Sequence, residues 1–255
     1  MLLNKKVIFI TGGSKGIGLE CSKAYVKEGA LLAIASKEEL EFDSIADEIG
    51  SSHLLLPCDV SNEQQVKWAI EKTIAHFGRL DAVHNNAAIA SPSKTLHDTS
   101  TEEWEILMNT NIKSVYLTTK YGFEHLKLSK GSILNTSSLV AEIGQEIHAA
   151  YAATKGAVNT LTKSMALDYS KYGIRVNAVA PAGVWTPMLR NWANEQPNTD
   201  EIELYLNKIH PLGYCPSGDV VADACVFLLS EKARFITGCI LPVSGGAELG
   251  YKAVM

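Results

Sequence analysis

Short apolar runs recur along the chain at Val7–Ile10, Leu31–Ala35, His53–Pro57, Leu80–His84, Ser132–Asn135, Ile174–Val179 and Ile240–Val243. Each is bounded by polar or turn-forming residues and reads as a buried strand. Between these runs the period changes. Val66, Ala69, Ile70, Thr73, Ile74 and Phe77 fall at spacings of three and four, which sets one apolar stripe along a helix. Strand thus alternates with helix. That alternation implies parallel strands joined by right-handed crossovers, with helices on both faces of one sheet. The pattern predicts a single doubly wound α/β domain over residues 1–255, with a central parallel sheet of about seven strands.

Boundary signals agree with this register. Ser100-Thr101-Glu102-Glu103 has the form of a capping box, so a helix is expected to begin there and to run to about Leu126. The polar stretch Asn191–Asp200, with Pro197 inside it, reads as an insertion. Beyond it Ile202, Tyr205, Leu206 and Ile209 mark a short amphipathic helix. The whole segment from about residue 187 to 212 is expected to act as a lid on the substrate side.

Composition narrows the partners. Hydrophobic residues make up 46% of the 255 positions and charged ones 20%, enough apolar material for a large core and far from the make-up of a disordered chain. The 23 Lys and Arg against 28 Asp and Glu leave a net charge of −5, with no basic run, which argues against nucleic acid or an anionic membrane and for a small-molecule partner. Cys21, Cys58, Cys215, Cys225 and Cys239 are odd in number, widely spaced and without a C-x-x-C pair, so neither a disulfide framework nor zinc is expected. The seven histidines form no H-x-x-x-H, and no metal is assigned. Without a signal-like or membrane-length apolar run, the expected location is the cytoplasm.

Candidate chemistry begins directly after the first strand, at Thr11-Gly12-Gly13-Ser14-Lys15-Gly16-Ile17-Gly18. Gly12 and Gly16 permit a tight turn with close backbone approach, and Gly18 lets the following helix pack near the sheet. The helix start then aims free amides at an anion, so Ser14, Lys15 and Ile17 fall beside a phosphate. In the first β–α unit such a turn points to a dinucleotide.

The spacing G-x-x-x-G-x-G is followed in order by Asp59-Val60, Asn85-Asn86-Ala87-Ala88, Asn111, Ser138, Tyr151-x-x-x-Lys155 and Pro181–Met188. With these motifs the chain resembles the short-chain dehydrogenase/reductase family over nearly its whole length. The resemblance implies a Rossmann-type fold, a nicotinamide cofactor and reversible hydride transfer between the nicotinamide and a carbonyl or secondary alcohol. It implies roles as well: Asp59 at the adenine amino group, the Val60 backbone at the ring, Asn86 along the ribose, and Pro181, Val184 and Thr186 around the carboxamide. Asn111 would lie at a helix kink, its main-chain carbonyl holding a water of a proton relay through Lys155. Association into a homotetramer or a dimer is also implied. Ala88, Ala182 and Ser244 depart from the residues the family usually carries there.

Tyr151 and Lys155 stand one helical turn apart and share a face. A free tyrosine has a pKa of about 10, and a neighbouring ammonium is expected to lower it and make the phenol a usable acid and base. Ser138, at the carboxyl end of a strand, would polarise the substrate oxygen; its neighbour Ser137 points to the opposite face. After the second strand Ser36 stands where a carboxylate would select NAD, with Lys37 next to it. With Lys15 this pocket favours NADP(H) over NAD(H), although Glu38 and Glu39 dilute the charge. Trp185, Met188 and Trp192 either wall an apolar substrate pocket or pack the lid to the domain, and His148 either lines the site or lies on the surface. The expected activity is an NADP(H)-dependent oxidoreductase with Tyr151 as general acid and base. Its alternatives are an NAD-dependent alcohol or polyol dehydrogenase, an epimerase or dehydratase on the same site, and a non-enzymatic nucleotide-binding protein.

Overall fold

A computed structural model describes residues 1–39, 42–196 and 198–250. Its strands are β1 (Val7–Thr11), β2 (Leu31–Ser36), β3 (Leu54–Pro57), β4 (Ala82–Asn85), β5 (Ser132–Thr136), β6 (Arg175–Pro181) and β7 (Ile240–Val243), each on its expected apolar run. They pair in parallel as one seven-stranded sheet in the order β3-β2-β1-β4-β5-β6-β7. The helices are α1 (Gly16–Lys27), α2 (Phe42–Ile49), α3 (Glu63–Phe77), α4 (Thr101–Met108), α5 (Ser114–Ser129), α6 (Ala149–Ser170), α7 (Pro187–Asn194), α8 (Thr199–Ile209) and α9 (Asp219–Leu229).

Strand alternation sorts the core into two layers. Ile8, Ile10, Leu32 and Ile34 pack against Cys21 and Tyr25 of α1 and Val221 and Cys225 of α9. Phe9, Ala33, Val83 and Ile133 face the other way, onto Val66 and Ile70 of α3, Leu117 of α5 and Met165 of α6. Because β1 connects outward to β2 on one side while β4 continues the sheet on the other, the strand order reverses at the β1–β4 boundary. A crevice opens there at the carboxyl ends of the strands, where open α/β sheets bind ligands.

Two expectations are corrected. The helix that starts at the Ser100–Glu103 capping box does not run unbroken to Leu126: α4 ends at Met108, a wide π turn spans Asn109–Lys113, and α5 resumes at Ser114. Asn191–Asp200 is not simply a polar insertion, because its first part lies in α7, which Thr186 caps by accepting from the Leu189 amide and which opens on Pro187. Pro197 lies outside the described residues, and so do Leu40, Glu41 and residues 251–255. Among the described residues no helix is long and apolar enough to cross a membrane, and no group of His, Cys, Asp or Glu is arranged to hold a metal ion.

Candidate active site

Three segments converge on the crevice through residues that lack side chains. A Cβ on Gly12 (φ +63°) would sit 2.9 Å from Ala87 Cα, and one on Gly16 (φ +52°) would sit 3.3 Å from Thr186. Both backbones lie in the left-handed region that glycine adopts without strain. The turn thereby touches the end of β4 on one side and the segment after β6 on the other. Gly18 is closed more tightly still, since a Cβ there would lie 2.0 Å from the Gly12 carbonyl oxygen and 2.5 Å from Asn86 Nδ2. The start of α1 carries no side-chain cap on its first amides. A glycine cradle ending in uncapped helix amides fits the pyrophosphate of a dinucleotide. Ala88 and Ala182 both avoid positive φ, so the methyl groups they carry bring no backbone strain.

Asn86 locks this cradle to the sheet. Its Nδ2 donates to the carbonyls of Thr11 at 3.2 Å and Gly12 at 3.1 Å. The Thr11 hydroxyl in turn accepts from the amides of Asn86 and Ala87, each at 3.1 Å.

At the far end of β2, Ser36 is buried and its hydroxyl lies 2.6 Å from that of Ser14. Ser36 also donates to the Glu38 carboxylate at 3.1 Å. Lys37 Nζ lies 3.1 Å from Asp59 Oδ2, and Lys15 Nζ lies 3.9 Å from Glu38 Oε1. Both lysines expected at a 2′-phosphate are therefore paired with carboxylates in this structure. Asp59 accepts from the amide and hydroxyl of Ser61. Burial raises its pKa, but the Ser61 bonds and Lys37 outweigh burial and hold it below the usual range. Val60 beside it is buried.

Ser138, Tyr151 and Lys155 gather where β5 meets α6. Lys155 is 3% exposed and its Nζ donates to the Thr136 carbonyl at 2.8 Å, lying 5.7 Å from the centre of the Tyr151 ring. Burial pushes this ammonium down to about 8. The Tyr151 phenol is pushed up to about 12 by burial, against which a hydrogen bond with the Ser138 hydroxyl works in the other direction. The expected depression of the phenol by its neighbouring ammonium is thus absent here; burial sets the direction, and the ammonium donates to the Thr136 carbonyl. Ser137 reaches the same helix further along, donating to Asn159 Oδ1 at 2.6 Å. Both serines fall just after β5 and both hydroxyls bond residues of α6, so the expected split to opposite faces of the sheet is replaced by a split along one helix.

Asn111 lies within the π turn, almost wholly buried. Its side chain grips both backbone groups of Ile89, accepting from the amide at 2.9 Å and donating to the carbonyl at 3.0 Å, and Nδ2 also lies 3.1 Å from Thr154 Oγ1. A turn that departs from the α pattern leaves main-chain groups out of the regular ladder and marks functional positions in many helices. Asn111 thereby joins the segment after β4 to α6, the helix that carries Tyr151 and Lys155.

On the substrate side, Pro181 ends β6 and Val184 is buried. Trp185 donates its amide to Pro216 and lies under the Arg190 guanidinium, 5.0 Å from the ring, so it packs α7 onto the domain. Met188 is exposed and Trp192 half-buried on the same helix. His148 is no surface residue: it is buried at the start of α6, its Nδ1 2.9 Å from the Glu146 carbonyl oxygen. Residues that the motif reading missed are Thr136 and Thr154, which hold Lys155 and Asn111. Thr154 had a visible signal, a hydroxyl inside the Tyr151–Lys155 turn; Thr136 acts through its main-chain carbonyl, which no residue type reports.

The chain belongs to the short-chain dehydrogenase/reductase family, the family model described as enoyl-(acyl carrier protein) reductase matching residues 12–248. It is 41% identical over 246 residues to a Bos taurus protein named L-fucose dehydrogenase, covering 96% of this chain and 90% of that one. Among solved structures it resembles a 3-ketoacyl-(acyl-carrier-protein) reductase from Brucella melitensis complexed with NADH, with a TM-score of 0.91 and 31% identity over 96% of this chain and 99% of that one. ElxO with NADP bound gives a TM-score of 0.90 and 32% identity, covering 96% and 100% of the two chains.

Proposed function

We propose that this protein is an NADP(H)-dependent oxidoreductase that interconverts a secondary alcohol and a carbonyl compound, with Tyr151 as general acid and base. The observation that carries this reading is the meeting of Ser138, Tyr151 and Lys155 at the carboxyl end of β5 in the crevice closed by the glycine cradle. A bound nicotinamide nucleotide supplies the hydride acceptor or donor. Gly12, Ser14, Gly16, Ile17 and Gly18 would hold its pyrophosphate, Ser36, Lys37, Asp59 and Val60 its adenosine half, and Asn86, Pro181, Val184 and Thr186 its nicotinamide half. Ser138 donates to the substrate oxygen. Tyr151, protonated at neutral pH, delivers its proton to that oxygen in reduction and takes one from the alcohol in oxidation, beside Lys155. Asn111 positions α6 and offers its carbonyl to a water on the route from Lys155. The α7–α8 segment acts as the lid. Exposed Tyr116, Leu167 and Phe227 support association of copies into a dimer or tetramer.

NADP(H) is favoured because Ser36 replaces the carboxylate that would repel a 2′-phosphate, while Lys37 and Lys15 stand close by. A second reading, an NAD-dependent alcohol or polyol dehydrogenase, is favoured by one observation: the Glu38 carboxylate accepts from Ser36 and pairs with Lys15 in the same corner. The likeness to a protein named L-fucose dehydrogenase makes aldose sugars the first compounds to try, ahead of apolar cyclic alcohols and ketones. The test is a panel of these compounds with NADP+ and NAD+, read at the reduced-nicotinamide absorbance. Turnover with at least one alcohol, faster with NADP+, is expected; absence of net cofactor turnover across the panel and with the matching ketones contradicts the proposal.

A further inference from the structure

His84 lies fully buried in the middle of β4, where burial pushes its pKa down to about 3 and keeps it neutral. A neutral imidazole has one N–H and one bare nitrogen, and inside a core both need partners. Both have them. Nδ1 lies 2.9 Å from the Tyr25 hydroxyl, and Nε2 lies 3.0 Å from Thr136 Oγ1.

The direction of these bonds follows from their far end. Asn86 faces the carbonyls of Thr11 and Gly12, which only accept, so its NH2 group is committed to them. Its Oδ1 therefore turns toward Thr136, 3.3 Å away, and accepts the Thr136 hydroxyl proton. Thr136 Oγ1 has then spent its only proton and must accept from His84. The imidazole proton is consequently on Nε2, and bare Nδ1 accepts from Tyr25. With any other tautomer Asn86 Oδ1 or Thr136 Oγ1 loses its donor. The result is a one-way chain from Tyr25 through His84, Thr136 and Asn86 to the carbonyls of the glycine turn. The Thr136 main chain meanwhile receives the Lys155 ammonium.

We propose that His84 is a positioning residue, whose Nε2–H aims the Thr136 hydroxyl at Asn86 Oδ1 and so steadies from the sheet side the amide that holds the glycine turn open for the nucleotide. This deepens the functional reading above and rests on it for the identity of the ligand. An apolar residue at position 84 fills the same core layer but leaves Thr136 free to turn its proton elsewhere. Asn86 Oδ1 then loses its donor, and the amide is held from the carbonyls of Thr11 and Gly12 alone. A glutamine restores a donor toward Thr136 while giving up the imidazole ring.

Two measurements test this. In the uniformly 15N-labelled full chain, two-bond 1H–15N correlations of His84 between pH 5 and 8 are expected to show an unchanging Nε2–H tautomer. An Nδ1–H tautomer, or titration within that range, overturns the chain whatever the protein binds. Nucleotide affinity is then measured by fluorescence titration with NADPH and NADH. His84→Leu is expected to raise the dissociation constant about tenfold and His84→Gln to stay within about threefold of the parent, at comparable thermal stability. Equal affinities for both variants and the parent, or equal losses in both variants, overturn the positioning role. If the parent chain binds neither nucleotide, the functional reading fails instead, and the tautomer spectrum still decides the hydrogen-bond chain.

Discussion

The Lys155 ammonium is anchored 2.8 Å from the main-chain oxygen of Thr136, the last residue of β5 and two positions before Ser138. One strand end therefore supplies the serine hydroxyl and the anchor of the lysine, so the spacing between the two polar groups is set by backbone geometry. A burial that pushes the ammonium down to about 8 is the cost of this placement.

That cost predicts a pH dependence of stability. An unfolded lysine titrates at about 10.4, so between pH 8 and that value the unfolded chain holds a proton that the folded chain has released. The folded state gains stability as pH rises through this window, by roughly 3 kcal/mol from Lys155 at most. Urea unfolding from pH 7 to 10.5 is expected to show this contribution as a stability difference between the parent chain and Lys155→Met that changes with pH, because the buried thiols of Cys58 and Cys215, pushed up to about 12 and about 11, lower the stability of both chains over the same window. Parallel curves refute the buried-ammonium assignment.

The two serines after β5 are proposed to serve different ends, Ser138 catalysis and Ser137 packing. Ser138→Ala removes the proposed donor to the substrate oxygen and is expected to lower kcat about a hundredfold with little change in melting temperature. Ser137→Ala leaves Asn159 short of a partner in the core and is expected to cost about 1 kcal/mol of stability while kcat stays within a few fold. Paired measurements of kcat and unfolding in both variants check this; the reverse pattern shows that the wrong serine has been placed at the substrate.

Cofactor choice turns on the corner formed by Ser36, Lys37 and Glu38. Lys37→Ala is expected to weaken NADPH about tenfold and NADH barely, because only the 2′-phosphate calls on that charge once Asp59 releases it. Glu38→Gln removes a carboxylate from the same corner and is expected to tighten NADPH relative to NADH. Dissociation constants for both nucleotides decide it: equal losses in Lys37→Ala and no shift in Glu38→Gln favour the NAD-dependent reading.

Much of this architecture was legible from residue order because strands buried on both faces demand continuous apolar runs, and Val7–Ile10 or Leu31–Ala35 have no other use for theirs. The Ser100–Glu103 box announced α4 through side-chain chemistry that repeats wherever helices start. The π turn around Asn111 was illegible from periodicity, since a five-residue widening shifts the apolar stripe no more than a polar substitution would; only the motif likeness pointed there. α7 went unread although Thr186-Pro187 is a proper helix start, because the polar residues after it resembled a loop. Thr136 and His84 show a deeper limit. One works through a carbonyl that every residue possesses, and the other through a tautomer set by direct partners on α1 and β5, both far from it in sequence.

The central claim is that the Tyr151 oxygen carries the proton of the reaction while taking little part in holding the nucleotide. Tyr151→Phe keeps the ring and deletes that oxygen, so turnover with the best alcohol or ketone of the panel should be measured alongside the nucleotide dissociation constant. Turnover reduced by about a thousandfold or more, with affinity within about twofold of the parent, is the predicted result. Turnover within about tenfold of the parent, at unchanged affinity, would contradict the assignment of Tyr151 as the acid and base.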